Sequence, residues 1–316
     1  MSNLKLINMR DVEVEPICWL WYPFIPYGKV TIVQGDPGEG KTTLVLQIIA
    51  RLTKGESIII DENKNLPINV IYQTAEDGLA DTIKPRLLAA NADCSKVLVI
   101  DDSDTPLTMR DERLEQAIIE TNAKLVVLDP IQGFLGADVD MHRANEIRPI
   151  MKHISELAGK YKCAIILIGH MNKCSVGKSA YRGLGSIDFQ AAARSVLIVG
   201  RIKDEPEIRV VCQTKSSLAP EAKAVAFRLS EENGFEWVGE YDVSADDLLS
   251  GTVKGTKKQA AMDFLESLLS GGQMSQTEIM ELAERKSIAE KTLRNAKEAL
   301  GIKSKRENNQ WYWSLD

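Results

Sequence analysis

The segment GDPGEGKT, Gly35 to Thr42, constrains this chain more than any other feature. It fits G-x-x-x-x-G-K-[ST] and sits directly between an apolar run, Lys29–Val33, and a segment of helical spacing. Glycines let consecutive backbone N–H groups turn inward on phosphate oxygens, helped by the positive end of the following helix. Lys41 is suited to neutralise the β- and γ-phosphates, and Thr42 to offer its hydroxyl to magnesium. Gly35, Asp36, Pro37, Gly38, Glu39, Gly40, Lys41, Thr42 and Thr43 are therefore expected to cradle a nucleotide. The alternative, a chance glycine turn, does not explain the strand before it and the helix after it.

Apolar runs rich in Val, Ile and Leu recur between helical patterns, at Val30–Val33, Asn69–Tyr72, Val97–Ile100, Leu125–Leu128 and Ala164–Ile168. Continuous apolar strands alternating with amphipathic helices, here expected over 41–53, 78–90, 110–122 and 143–160, imply an α/β fold with a mostly parallel sheet covered on both faces. After Phe189 the texture changes to strands with turns at Lys203–Pro206 and Glu232–Gly234, so an antiparallel extension is expected. Residues 242–258 lose the strand pattern and read as a linker. The domain plan is thus 1–241, a linker over 242–258, and a small domain over 259–316.

Composition bounds the function. The chain has 316 residues, of which 44% are hydrophobic and 27% charged, so a sizeable core can form. A net charge of -6 excludes a surface that is basic throughout, and any nucleic-acid contact must be local. Five scattered cysteines without CxxC spacing argue against a disulfide framework or a zinc site. The opening residues are interrupted by Asp11, Glu13 and Glu15, and no run is long enough to span a bilayer, so a cytoplasmic protein without membrane contact is expected.

A magnesium nucleotide needs a second acidic anchor at the end of a neighbouring strand. Asp129 supplies it after Leu125–Leu128, although an aspartate there could simply cap the turn before Pro130. Hydrolysis also requires a carboxylate to orient or deprotonate water. Glu76, in QTAEDG after the strand Asn69–Tyr72, is the candidate, with Asp77 as the neighbour it could be confused with.

The order WLWYPFIPYGKVTIVQGDPGEGKT, YQTAEDG, LVVLDP, IILIGHMNK and GLGSIDFQAAARSV resembles the RecA-like ATPases of the plasmid RepA hexameric helicase group, over roughly residues 17 to 230. The resemblance implies a RecA-like core that uses ATP and Mg2+, assembles as a homo-oligomeric, hexameric ring, and translocates on single-stranded DNA in replicating a plasmid, phage or mobile element. It favours Glu76 as the water-activating residue and places a γ-phosphate sensor at His170, which could otherwise be a strand-end histidine bonded to backbone. It assigns Arg194 as an arginine finger acting on the neighbouring subunit's nucleotide, and Lys215 as a second such cation. Many relatives read Lys-x-Arg at that strand end, whereas this chain has Lys215-Ser216-Ser217; both cations also suit a sheet-edge salt bridge. Lys173, Lys178 and Arg182 lie in the glycine-rich stretch 171–185, which the resemblance places against single-stranded DNA and which otherwise reads as a solvated loop. An ATP-gated DNA-binding regulator or loader, and a recombination or repair ATPase, are the alternative readings.

The aromatic cluster Trp19, Trp21, Tyr22, Phe24 and Tyr27 precedes the first strand and most simply packs under the sheet. In the C-terminal part, Ser275 with Glu278 and Ser287 with Glu290 have capping-box spacing. Helix, helix-turn-helix and hairpin together make a winged helix. Lys291, Arg294 and Lys297 recur at helical spacing on its recognition helix, suiting duplex DNA, though a protein-docking module shows the same pattern. Trp311 and Trp313 are expected to pack the wing onto the helices.

Overall fold

A computed structural model describes residues 5–59, 66–171, 187–203, 205–230, 232–250, 254–286, 288–307 and 310–315. The elements follow the expected alternation. Strands β1 (Trp19–Trp21), β2 (Ile25–Pro26) and β3 (Val30–Gly35) lead into α1 (Lys41–Thr53); then come β4 (Val70–Thr74), α2 (Lys84–Ala89), β5 (Val97–Leu98), α3 (Glu112–Thr121), β6 (Leu125–Asp129), α4 (Ala144–Tyr161) and β7 (Ala164–His170). They are followed by α5 (Ile187–Ala192), β8 (Ser195–Ile202), β9 (Glu205–Ser216), β10 (Ala224–Ser230) and β11 (Gly234–Tyr241). The sheet runs β11-β10-β9-β8-β3-β7-β6-β4-β5. The pairs from β8 through β3, β7, β6 and β4 to β5 are parallel, and β10 pairs antiparallel with β9 and β11. The expected mostly parallel α/β sheet with an antiparallel extension is therefore borne out.

Two compact units emerge from the chain's contacts, Met1–Val199 with Gln213–Ala222, and Gly200–Cys212 with Lys223–Asp316. In the first, alternate residues of the parallel strands face opposite ways. One face carries Ile32, Ile71, Val126, Leu128, Ile165 and Leu167 onto a core with Ile147, Ile150 and Ile154 of α4 and Leu114 and Ile118 of α3. Each such side chain stabilises the fold by about 1.5–3 kcal/mol. The helix α1 buries Leu44, Val45, Ile48, Ile49 and Leu52, which recur at helical spacing. Trp21 and Phe24 are buried with ring centroids 4.4 Å apart, as expected of the aromatic cluster, while Tyr22 is exposed.

In the second unit, Ser244 Oγ accepts from the Asp247 N–H at 3.1 Å and opens α6 (Ala245–Ser250). The helix α7 (Lys254–Leu269) begins at Lys254. The stretch 242–258 is thus largely helical, because the S-x-x-D spacing of Ser244 and Asp247 offers a cap within a polar sequence. Beyond it, β12 (Met274–Ser275), α8 (Gln276–Arg285), α9 (Glu290–Ala299), β13 (Lys303–Glu307) and β14 (Gln310–Ser314) surround a core of Phe264, Leu265, Ile279, Leu293, Ile302 and Trp313. Ser275 caps α8 as expected, accepting from the Glu278 N–H at 3.3 Å. The helix α9 instead starts after Ala289, which has no side chain to cap with, and Ser287 lies outside the described residues. Trp313 is buried, but Trp311, at 48% exposure, does not join the core.

One further departure bears on the site. The expected helix 78–90 is a π-helical turn, Leu79–Ile83, followed by α2, with Pro85 in its first turn. Proline lacks an N–H and clashes with the preceding turn, so the regular helix can begin only beside it.

Candidate nucleotide site

The strands β3, β7, β6 and β4 lie side by side, with Gly35 opposite His170 and Thr74 opposite Asp129. Their carboxyl ends therefore form one edge, where ligands of open α/β sheets bind. All of the residues expected to handle phosphate, metal and water belong to this edge or to the loops leaving it.

Gly35 ends β3 because nothing larger fits: a Cβ there would lie 2.2 Å from the Val199 carbonyl oxygen. Gly40 adopts φ 87° as the N-cap of α1 and contributes no side-chain cap. The first N–H groups of α1 are thus left open to an anion, as a phosphate cradle requires. Lys41 begins the helix, and its Nζ donates to the carbonyl oxygens of Gly35 at 3.0 Å and Asp36 at 2.9 Å. Burial lowers its pKa, opposed by Asp129, Asp36, Glu39 and Glu76. The same Nζ lies 3.3 Å from Nδ1 of His170, whose Nε2 lies 3.8 Å from a Glu76 carboxylate oxygen.

Asp129 is buried at 8% exposure, and its Oδ2 accepts from the Thr42 hydroxyl at 2.7 Å and from the Tyr72 hydroxyl at 2.9 Å. Burial raises its pKa, and the two hydroxyl donors and Lys41 pull the other way. The loops on either side are tied together: the Ala75 N–H donates to the Asp129 carbonyl at 3.0 Å, and a Cβ on Gly133 would lie 2.3 Å from Ala75 Cβ. Glu76 and Asp77 separate clearly. Asp77 pairs with Arg86 at 3.2 Å, whereas Glu76 faces His170.

Hard oxygen donors from Thr42 and Asp129 fit magnesium, which binds proteins through one or two such groups and takes its remaining ligands from phosphates and water. Among the described residues, no group of three or more His, Cys, Asp or Glu side chains could hold a metal. Tyr72 is the member that sequence reading missed. A tyrosine closing an apolar strand is a weak signal, and only the need of a buried phenol for a partner points to it.

Arg194 and Lys215 lie elsewhere. The Arg194 N–H donates to the carbonyl of Val30, at the amino end of β3, and the Ser217 N–H donates to the Arg194 carbonyl. Val30 and Gly35 are the two ends of β3, five residue steps apart, a distance of roughly 17 Å at about 3.3 Å per residue. Neither cation joins the phosphate loop of its own chain. Lys215 Nζ donates to the carbonyls of Gln190 at 2.7 Å and Ala191 at 3.1 Å, in the last turn of α5, and burial followed by the nearby Arg194 lowers its pKa. Lys173, Lys178 and Arg182 lie outside the described residues. On α9, Arg294 pairs with Glu290 at 2.6 Å. Lys297 lies over the Trp313 ring at 4.5 Å and hydrogen-bonds Ser304. Both cations thus have partners within their own fold, and Lys291 lies on α9 with its side chain outside those described.

A glycine loop between strand and helix, a strand-end aspartate and a mostly parallel sheet define a RecA-like P-loop fold. The AAA domain family matches residues 3–176, more than half of the chain, and the chain belongs to that family. The DNA repair protein RadA of Halalkalibacterium halodurans is 30% identical over 149 residues, which are 46% of this chain and 28% of that protein. Protein RecA of Agrobacterium fabrum is 23% identical over 253 residues, 76% of this chain and 67% of that one. The KaiC-like protein PH0186 of Pyrococcus horikoshii OT3 superposes with a TM-score of 0.50 at 18% identity, over 70% of this chain and 99% of that one, a likeness of fold.

Proposed function

We propose that this protein is a magnesium-dependent ATPase that translocates on single-stranded DNA as a ring of identical subunits, acting as a helicase in replicating a plasmid, phage or mobile element. The observation that carries the reading is the convergence of Lys41, His170 and Glu76 beside the Thr42–Asp129 pair. Lys41 would exchange the carbonyls of Gly35 and Asp36 for phosphate oxygens, and Thr42 and Asp129 would hold the metal. When bound, magnesium offsets the negative charge that builds on the phosphates. Glu76 orients the attacking water and accepts its proton. His170, poised between Lys41 and Glu76 at the end of β7, links the state of the phosphate to the segment that follows, where Lys173, Lys178 and Arg182 would hold the DNA backbone.

The positions of Arg194 and Lys215 support action across subunits. Both sit at the far end of the sheet from the phosphate loop of their own chain, so a role on phosphate requires a neighbour's site. A guanidinium delivered in this way stabilises transition-state charge and makes hydrolysis depend on assembly. We assign residues 1–241 to the ATPase domain, 242–258 to the connection, and 259–316 to a winged helix, on the order α7, β12, α8, α9, β13 and β14. Its partner is duplex DNA or a protein.

The test is ATP hydrolysis with and without single-stranded DNA, paired with electron microscopy of the assembly. DNA-stimulated turnover by rings, abolished by Lys41→Ala with rings retained, is the expected result. Full turnover by a lone protomer, indifferent to DNA, would overturn the reading. A second reading, an ATPase of DNA repair or recombination that forms filaments, is favoured by the similarity to RadA, a DNA repair protein by name. Filaments on single-stranded DNA would select it, and site-specific duplex binding without unwinding would select a regulator or loader.

A further inference from the structure

Tyr72 heads the large side chains that the fold buries completely, with 0% exposure, and its hydroxyl is spent on one atom, Oδ2 of Asp129. In the register of β4 and β6, Tyr72 stands opposite Val127, two residues before Asp129, so the two side chains project from the same face of the sheet. The second donor to Oδ2, Thr42, arrives from α1. A carboxylate offers about four lone-pair positions on its two oxygens. With both donors on Oδ2, rotation of the carboxylate is fixed, and Oδ1 remains for the water or metal side of the site. Thr42 alone could not do this, because its hydroxyl must also present lone-pair density to the metal. Tyr72 has no such second duty, and its ring is immobilised by burial.

We propose that Tyr72 is a positioning residue for magnesium: it fixes the Asp129 carboxylate in the orientation that takes up the metal with its bound water. The proposal rests on reading this edge as a magnesium-nucleotide site. Tyr72 does not touch the nucleotide, so its effect is expected on metal uptake and not on nucleotide binding as such.

Binding of a fluorescent ADP analogue to the full chain, titrated with Mg2+ and repeated in EDTA, tests this with Tyr72→Phe, which keeps the ring and removes only the hydroxyl. A hydrogen bond to a charged acceptor is worth about a tenfold change in an equilibrium. The Mg2+ concentration giving half of the metal-dependent gain in ADP affinity should therefore rise about tenfold, while affinity in EDTA stays within about twofold and a thermal melt shows a folded protein. An unchanged Mg2+ response in Tyr72→Phe, beside a normal response in the unaltered chain, overturns the proposal alone. ADP binding by the unaltered chain that ignores Mg2+ overturns the reading of the site and the proposal with it. A loss of affinity in EDTA equal to the loss in Mg2+ also overturns it, since that marks a general disturbance of the site.

Discussion

Lys41 and His170 are 129 positions apart in sequence, yet Nζ of one lies 3.3 Å from Nδ1 of the other. Pairing of β3 with β7 brings them together, because Gly35 and His170 are register partners and Lys41 reaches back over the loop between. His170 in turn faces Glu76, so the lysine proposed to bind phosphate and the carboxylate proposed to handle water are connected through one imidazole.

Glu76→Gln should cut ATP turnover by about 10²- to 10⁴-fold, the range expected for loss of a general base, while nucleotide binding survives. Asp77→Asn should change turnover far less, because Asp77 is engaged with Arg86. Steady-state hydrolysis with parallel binding measurements checks both. Equal losses in the two variants would remove the distinction between them.

Asp129→Asn removes a carboxylate that the fold buries and whose charged form burial disfavours. The unliganded protein should melt higher, while Mg2+ no longer strengthens ADP binding. Scanning calorimetry with and without Mg-ADP separates the two effects.

Two glycines of the phosphate loop should respond oppositely to alanine in kind. Gly35→Ala forces a Cβ to 2.2 Å from the Val199 carbonyl oxygen and should destabilise the strand pair itself, lowering the melting temperature even without ligand. Gly38→Ala meets nothing within 4 Å but must hold φ +80°, a strain of about 1–2 kcal/mol. It should leave the core intact and weaken nucleotide binding.

Arg194→Ala should leave nucleotide binding unchanged in each protomer and abolish assembly-dependent hydrolysis. Mixing it with Glu76→Gln gives a sharper check: interfaces that pair an intact Glu76 with an intact Arg194 should restore part of the turnover that neither variant shows alone. No recovery over a range of mixing ratios would remove Arg194 from the shared site.

Burial pushes the Cys163 thiol up to about 11 and the Cys212 thiol to about 12. Raised acid pKa values mean that the unfolded chain ionises first. Stability should therefore fall as pH climbs from the ordinary thiol value near 9.0 towards 11, by at most about 1.4 kcal/mol per pH unit for each thiol. Urea melts across that range should flatten in Cys163→Ala and Cys212→Ala. At pH 8, iodoacetamide should label the exposed Cys18 well before either buried thiol.

Much of the site was legible in the chain alone. A glycine loop between an apolar strand and a helix carries its own reading, because the conformations that wrap phosphate are local and only glycine adopts some of them. The aspartate ending an apolar run and the alternation of strands with helices are likewise local signals, and they direct Gly35–Thr43, Asp129 and Glu76 to one sheet edge. Local rules missed the helix α6 inside 242–258, where a polar composition concealed the Ser244–Asp247 cap, and the π-helical start of 78–90, where Pro85 delays the regular helix. What only the tertiary structure decided was partnership. That Asp77 is taken by Arg86 and Glu76 is not, that Tyr72 donates to Asp129, and that Arg194 lies at the far end of the sheet from Gly35 all depend on strand order and register. Those are set by packing between segments far apart in sequence, and no periodicity within one segment records them.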